Sequence, residues 1–283
     1  MKQINPAEGD CEIKEDSKFG EKNDGTWMKR FQVSSENEKI LHNHSGWLTN
    51  TLITAAQDLI KEQFPILGGL VNPLYLSAIM AKSLTEKGLQ IHNTGAHWVV
   101  SSSLTDRVVV YDSLSLSMPQ SLRNQICCLY EHYAKGDDKL IQVDVVHTQQ
   151  QVGSSDCGLF AIANVMALAS GIDIERVTFR QTKMRSHFLQ CLQEQRLTMF
   201  PHKVSDSSNS RLRRKLFVIT TNCHCDAFLP NSNLIKCSEC NKLFHLHCLT
   251  HSHQNSTSRH TSSWTCQVCT KKQQRIVDYM VMV

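Results

Sequence analysis

The chain has 283 residues, enough for one domain of ordinary size and a small second one. With 41% hydrophobic and 20% charged residues it can bury a core, and a net charge of +4 is too mild to point to nucleic acid. No apolar segment near residue 1 suggests a secretory signal, and the longest apolar stretch, Phe160 to Ala169, is about half of what a membrane span needs. An intracellular, nuclear location is expected.

Residues 1–40 are rich in Lys, Glu, Asp and Asn without an apolar period, and read as a mostly disordered leader. The main folded domain is expected over 41–200. Leu52, Ile53, Ala56, Leu59 and Ile60 recur at helical spacing, and Asn72-Pro73 with Gly88 brackets a second helix. His97 to Ser101 and Arg107 to Asp112 read as strands, Pro119 to Lys135 as a helix, and Ile141 to His147 as another strand. A loop over Gln149 to Asp156 leads into an apolar helix from Cys157 to Ala169, and Thr182 to Leu197 is an amphipathic helix. A linker is expected over 201–220, a Cys/His-rich module over 221–272 and a tail over 273–283.

Seven of the twelve cysteines lie between Cys223 and Cys269. In a reducing compartment such clustering points to metal rather than disulfides. Cys157 is different: it stands alone where a loop enters a helix, and a helix N-terminus favours a thiolate. Two readings stay open at this point, a nucleophile or a small core residue. A nucleophile needs a base and the base an orienting acceptor, for which His97 and Asp112, at the ends of two adjacent strands, are candidates.

Taken together, His97-Trp98, Tyr111-Asp112-Ser113-Leu114 and Gln151 six residues before Cys157 resemble the catalytic core of the ubiquitin-like (SUMO/NEDD8) protease family. Trp47-Leu48-Thr49-Asn50 resembles that family's W-L-x-D helix entry, with Asn50 where the family usually has Asp. The resemblance covers about residues 46–200. It implies an α+β, papain-like cysteine protease fold with Cys157 as nucleophile, His97 as base, Asp112 as orienter and Gln151 as oxyanion donor. Trp47 and Trp98 would flank a tunnel for a diglycine tail, and the partner would be a ubiquitin-like modifier with its conjugates. No cofactor for catalysis is implied. The rival readings are a binder that docks a modifier without cutting it and, more remotely, an acyl transferase.

Downstream, Cys223-x-Cys225, Cys237-x2-Cys240, His245-x2-Cys248 and Cys266-x2-Cys269 supply eight ligands, enough for two tetrahedral zinc ions. The pattern resembles a PHD-type finger, in which the pairs interleave as a cross-brace. One ion would be held by Cys223, Cys225, His245 and Cys248, the other by Cys237, Cys240, Cys266 and Cys269. The resemblance implies chromatin or protein binding, with histone tails as one partner class, although the sparse aromatics do not support a methyl-lysine cage. A protease domain joined to such a finger also resembles open reading frames of invertebrate transposable elements.

Overall fold

The computed structural model describes residues 26–77, 83–135, 140–205, 213–219, 234–239, 243–249, 264–267 and 269–271. The chain opens with strands β1 (Thr26–Met28) and β2 (Val33–Ser34), which pair antiparallel, and helix α1 (Ser35–His42). The Ser34 hydroxyl caps α1 by accepting from the Asn37 N–H. Helix α2 (Asn50–Gln63) begins at Thr49, whose hydroxyl accepts from the Leu52 N–H, and buries the apolar stripe expected for it.

Strand β3 (Gly68–Gly69), the short helix α3 (Pro73–Ser77) and strands β4 (Gly88–Asn93), β5 (Trp98–Ser102) and β6 (Val108–Asp112) follow. Then come α4 (Gln120–Leu129), β7 (Ile141–His147), α5 (Cys157–Ala169), β8 (Val177–Phe179), α6 (Met184–Gln193), β9 (His202–Val204) and β10 (Arg214–Ile219).

Six of these strands form one mixed sheet in the order β10-β7-β6-β5-β4-β3. The β3–β4 and β6–β7 pairs are parallel and the rest antiparallel. A parallel pair needs a crossover, and α4 supplies it between β6 and β7. Alternation along the strands splits the apolar side chains between two cores. Trp98 and Val100 face one with Leu89, Ile91, α2, α5 and α6, whereas Val99 faces the other with Val108, Val110, Ile141, Val143, Val145 and α4. Helix α5 is buried from Cys157 to Ala167, as a sequence apolar all round except for Asn164 requires. Among the described residues no helix is long and apolar enough to cross a membrane.

Several sequence expectations are corrected. The leader expected through residue 40 holds β1, β2 and α1 from Thr26 onward, anchored because Phe31, Val33 and Leu41 enter the first core. Gly88, expected to stop a helix, begins β4. Helices expected over Pro119–Lys135 and Thr182–Leu197 are shorter, with 3-10 turns at Glu131–Tyr133 and Gln181–Lys183. The expected linker over 201–220 contains β9, paired with β8, and β10, which adds an edge strand to the sheet from Arg214↔Val146 to Ile219↔Ile141.

Strands β11 (Leu234–Lys236) and β12 (Leu243–His245) form a separate antiparallel pair in the Cys/His-rich module.

The β10 register makes unequal demands on its side chains. Ile219 is 4% exposed and packs in the second core, while Leu216 is 53% exposed. Ile219→Ala should therefore cost about 2 to 5 kcal/mol in denaturant unfolding, and Leu216→Ala no more than about 0.5 kcal/mol. Equal costs would contradict the register.

Candidate active site and metal cluster

Strands β5 and β6 run antiparallel, so the residue entering β5 and the residue ending β6 meet at one end of the sheet. His97 immediately precedes β5, and Asp112 is the last residue of β6. Nε2 of His97 donates to Asp112 Oδ1 across 2.7 Å. The Asp112 side chain is 2% exposed and is held by further donors: the Leu114 and Ser115 N–H groups reach Oδ1 at 2.7 and 3.1 Å, and the Ser115 hydroxyl reaches Oδ2 at 3.2 Å.

With Nε2 committed to Asp112, Nδ1 is the ring nitrogen left for a second partner. It is buried and makes no hydrogen bond of good geometry. The neighbouring group that acts on the ring besides Asp112 is the Cys157 thiol. Burial works against a charge on His97, but the hydrogen bond and charge of Asp112 and the neighbouring Cys157 sulfur outweigh it and raise the imidazole to about 9. His92, one strand-length earlier, shows the opposite case. Fully enclosed, with Nδ1 2.9 Å from Gln125 Oε1 and Nε2 2.6 Å from the Ser101 hydroxyl, it is pushed down to about 4, chiefly by burial.

Cys157 is the first residue of α5, at the positive end of the helix dipole. Gly158 is needed beside it, because a Cβ there would come within 3.0 Å of Leu48 Cβ, and this close packing brings the Trp47-Leu48 segment against the helix start. Gly153, at φ +78°, supplies the left-handed turn in the preceding loop. In that loop Gln151 is buried, with its amide fixed at both ends: Oε1 accepts from the Ser113 hydroxyl at 3.0 Å, and one Nε2 hydrogen goes to the Gly153 carbonyl at 3.0 Å. An anchored imidazole beside a thiol at a helix start can accept the thiol proton and return it to a leaving amine.

The two tryptophans differ. Trp98 is 5% exposed, sits in the first core and donates from Nε1 to the Leu48 carbonyl at 3.2 Å; Trp47 is 46% exposed. Asn50 donates to Asn72 Oδ1 at 3.1 Å, and its own Oδ1 is buried without a partner.

Sequence reasoning missed a second Cys–His pair. Cys191 Sγ lies 3.4 Å from His187 Nε2, one helical turn away on α6. Burial raises its thiol pKa, but hydrogen bonds from His187 and Thr198 outweigh that and lower it. Among the described residues no carboxylate hydrogen-bonds to His187, whose Nε2 is shared with the Thr198 carbonyl and hydroxyl. The spacing of four within one helix was the signal that could have found it.

In the Cys/His-rich module, the sulfurs of Cys237, Cys266 and Cys269 all lie within 4.8 Å of one another. Tetrahedral thiolates on one zinc stand about 3.8 Å apart, so these three fit one ion. The Cys266 N–H donates to Cys237 Sγ at 3.2 Å, the kind of bond that steadies a metal-bound thiolate. Cys240, the expected fourth ligand, lies outside the described residues, as do Cys223 and Cys225. His245 and Cys248, expected in the other set, stand with Nδ1 3.9 Å from Sγ. Phe244 and Trp264 pack edge to face at 5.4 Å beside the three-cysteine cluster.

No protein-family profile matches the chain, and no curated protein sequence matches it. Among solved structures it is similar to the SUMO protease Ulp1 with its catalytic cysteine oxidised to a sulfonic acid, at 16% identity and a TM-score of 0.48, over 58% of this chain and 85% of that one. It is also similar to the C-terminal Ulp1 protease domain in complex with Smt3, the yeast orthologue of SUMO, at 17% identity and 0.45, over 58% and 83%. A de-sumoylating protease follows at 12% identity and 0.41, over 58% and 86%.

Two measurements follow from the geometry. The folded pKa of His97 is raised above the unfolded 6.5, so its contribution to stability is complete below pH 6.5 and is lost as pH rises through about 9. The stability advantage of wild type over His97→Asn should shrink across that window, and the His97 ring should titrate near its upper end by NMR; a midpoint at or below 6.5 would contradict the site. For the metal, Cys266→Ser should lower the zinc content by one equivalent per chain in elemental analysis, whereas Cys127→Ser should leave it unchanged.

Proposed function

We propose that the chain is a cysteine peptidase or isopeptidase that cleaves after the C-terminal diglycine of a ubiquitin-like modifier. The observation that carries this reading is the use of the two ring nitrogens of His97: Nε2 is bound to buried Asp112, and Nδ1 is left beside a thiol at the start of α5.

In the proposed reaction Cys157 Sγ, its proton passed to His97, attacks the carbonyl carbon of the terminal glycine. The oxyanion is met by the Cys157 backbone N–H and the second amide hydrogen of Gln151. His97 then gives the proton to the departing lysine amine, leaving a thioester. Water, deprotonated by His97, attacks the thioester and returns the thiol. Asp112 fixes the tautomer and stabilises the imidazolium without itself taking the proton. Trp47, exposed at the helix entry, and Trp98, tethered to the Leu48 carbonyl, would line the path of the tail, and glycine passes because it has no Cβ.

A pure binder would not need a buried carboxylate on the imidazole, so the enzymatic reading is favoured. For the C-terminal module we propose two zinc ions, one in each interleaved set. The three-cysteine cluster supports one of them. Among the described residues Phe244 and Trp264 pack on each other in the small core, which lends no support to a methyl-lysine cage.

Turnover of a panel of modifiers carrying a C-terminal fluorogenic amide tests the reading. Cys157→Ala should lose at least about a thousandfold in kcat, and Gln151→Ala roughly 100- to 1000-fold. Changing the penultimate glycine of the modifier to alanine should cost about one to two decades in rate. Undiminished turnover by Cys157→Ala would overturn the proposal.

A further inference from the structure

Arg185, on α6, is buried, and its guanidinium binds Asp156, the residue before Cys157, and two backbone carbonyls upstream of Trp47. Its Nε and Nη2 donate to Asp156 Oδ1 at 3.1 and 2.6 Å. Nη1 reaches the Ile40 carbonyl at 3.0 Å, and Nη2 also reaches the Gly46 carbonyl at 2.6 Å, just ahead of Trp47. The other oxygen of Asp156 accepts from Gln181 Nε2 at 2.7 Å, and the Gln181 amide pairs in both directions with the Val152 backbone at 2.8 Å.

Asp156 occupies the N-cap position of α5, where an aspartate normally turns its carboxylate onto the first-turn N–H groups. Here it makes no side-chain cap hydrogen bond. Both oxygens are drawn the other way, to Arg185 and Gln181. Two consequences follow from charge and geometry. A carboxylate directly before Cys157 places a negative charge next to the sulfur, and the Arg185 guanidinium bound to it offsets that charge. The N-terminal field of α5 is also left for the sulfur and the oxyanion instead of being spent on a cap.

We propose that Arg185 is a positioning residue for the reaction: by holding Asp156 away from the helix start, it sets where Cys157 lies relative to His97 and Gln151, and joins that point to the segment carrying Trp47. This rests on the proposed role of Cys157 as nucleophile. It goes beyond that reading because Arg185 touches neither the sulfur nor the tail.

The test compares wild type, Arg185→Lys, Arg185→Met and Gln181→Met, each well below its own melting temperature. One readout is turnover of a fluorogenic modifier amide. The other is the iodoacetamide alkylation rate of Cys157, followed by peptide mapping. Arg185→Met should lose about 100-fold in kcat, the scale of an ångström-sized misplacement, with KM within about twofold because the tail contacts stay intact. Arg185→Lys, which keeps the charge but not the fork, should recover roughly tenfold of that loss. Cys157 alkylation should slow in the same order.

Should Arg185→Met fail to fold, Gln181→Met, at a partly exposed position, removes the partner of one Asp156 oxygen together with the two bonds to the Val152 backbone and leaves the Arg185 fork in place. It should lower kcat about 3- to 10-fold at constant KM. A wild type with reactive Cys157 and variants whose kcat equals its own would overturn the positioning role alone, as would a loss confined to KM. A wild type that neither turns over any modifier amide nor alkylates at Cys157 faster than the urea-unfolded chain would overturn the nucleophile reading, and the positioning role with it.

Discussion

The hydrogen bond from His97 Nε2 to Asp112 determines much of what surrounds it. It assigns the ring's tautomer and leaves the other nitrogen for Cys157, and it can form only because β5 and β6 pair antiparallel with His97 at one strand's start and Asp112 at the next one's end. The carboxylate is affordable in a buried place because two backbone N–H groups and a serine hydroxyl share it. The same buried acceptor raises His97, while burial without a carboxylate lowers His92. Two histidines a few residues apart thus take opposite protonation states for reasons readable from their partners.

A second constraint acts on the sulfur. Helix α5, apolar but for Asn164, lies in the first core, so its position is set by packing along its length. Ahead of its first turn the loop from Gln151 to Asp156 is braced by Ser113, Gln181, Arg185 and, through the Ser155 hydroxyl, the His44 carbonyl at 3.1 Å. The rigid core fixes the helix, and the polar bracket fixes its reactive end. Cys191 makes the contrast: a thiol and an imidazole in contact within a helix rather than at its start, with no carboxylate hydrogen-bonded to the ring among the described residues.

Much of this was legible in the sequence where one signal dominated. The apolar stripe announced α2, and the switch from a glycine-bearing loop to a mostly apolar run announced α5 and placed Cys157 at its start. The His97 and Asp112 strands were legible from their β-branched runs. Strand β4 was not, because Gly88–Asn93 carries buried Gln90 and His92, whose partners come from distant segments. Strand β10 was hidden by its basic start, which read as a solvated linker until pairing with β7 supplied its order. Arg185 was hidden for the same reason: a charge on an amphipathic helix reads as exposed, and only the fold reveals the carboxylate and carbonyls that enclose it.

The most direct measurement of the central claim is where a covalent bond forms. A SUMO-type modifier carrying a C-terminal electrophile, incubated with the protein and mapped by mass spectrometry, should give a single adduct on Cys157 and none on Cys191, and His97→Ala should slow its formation at least about a hundredfold. An adduct on Cys191, or a labelling rate unchanged in His97→Ala, would contradict the assignment of Cys157 and His97 as the reacting pair.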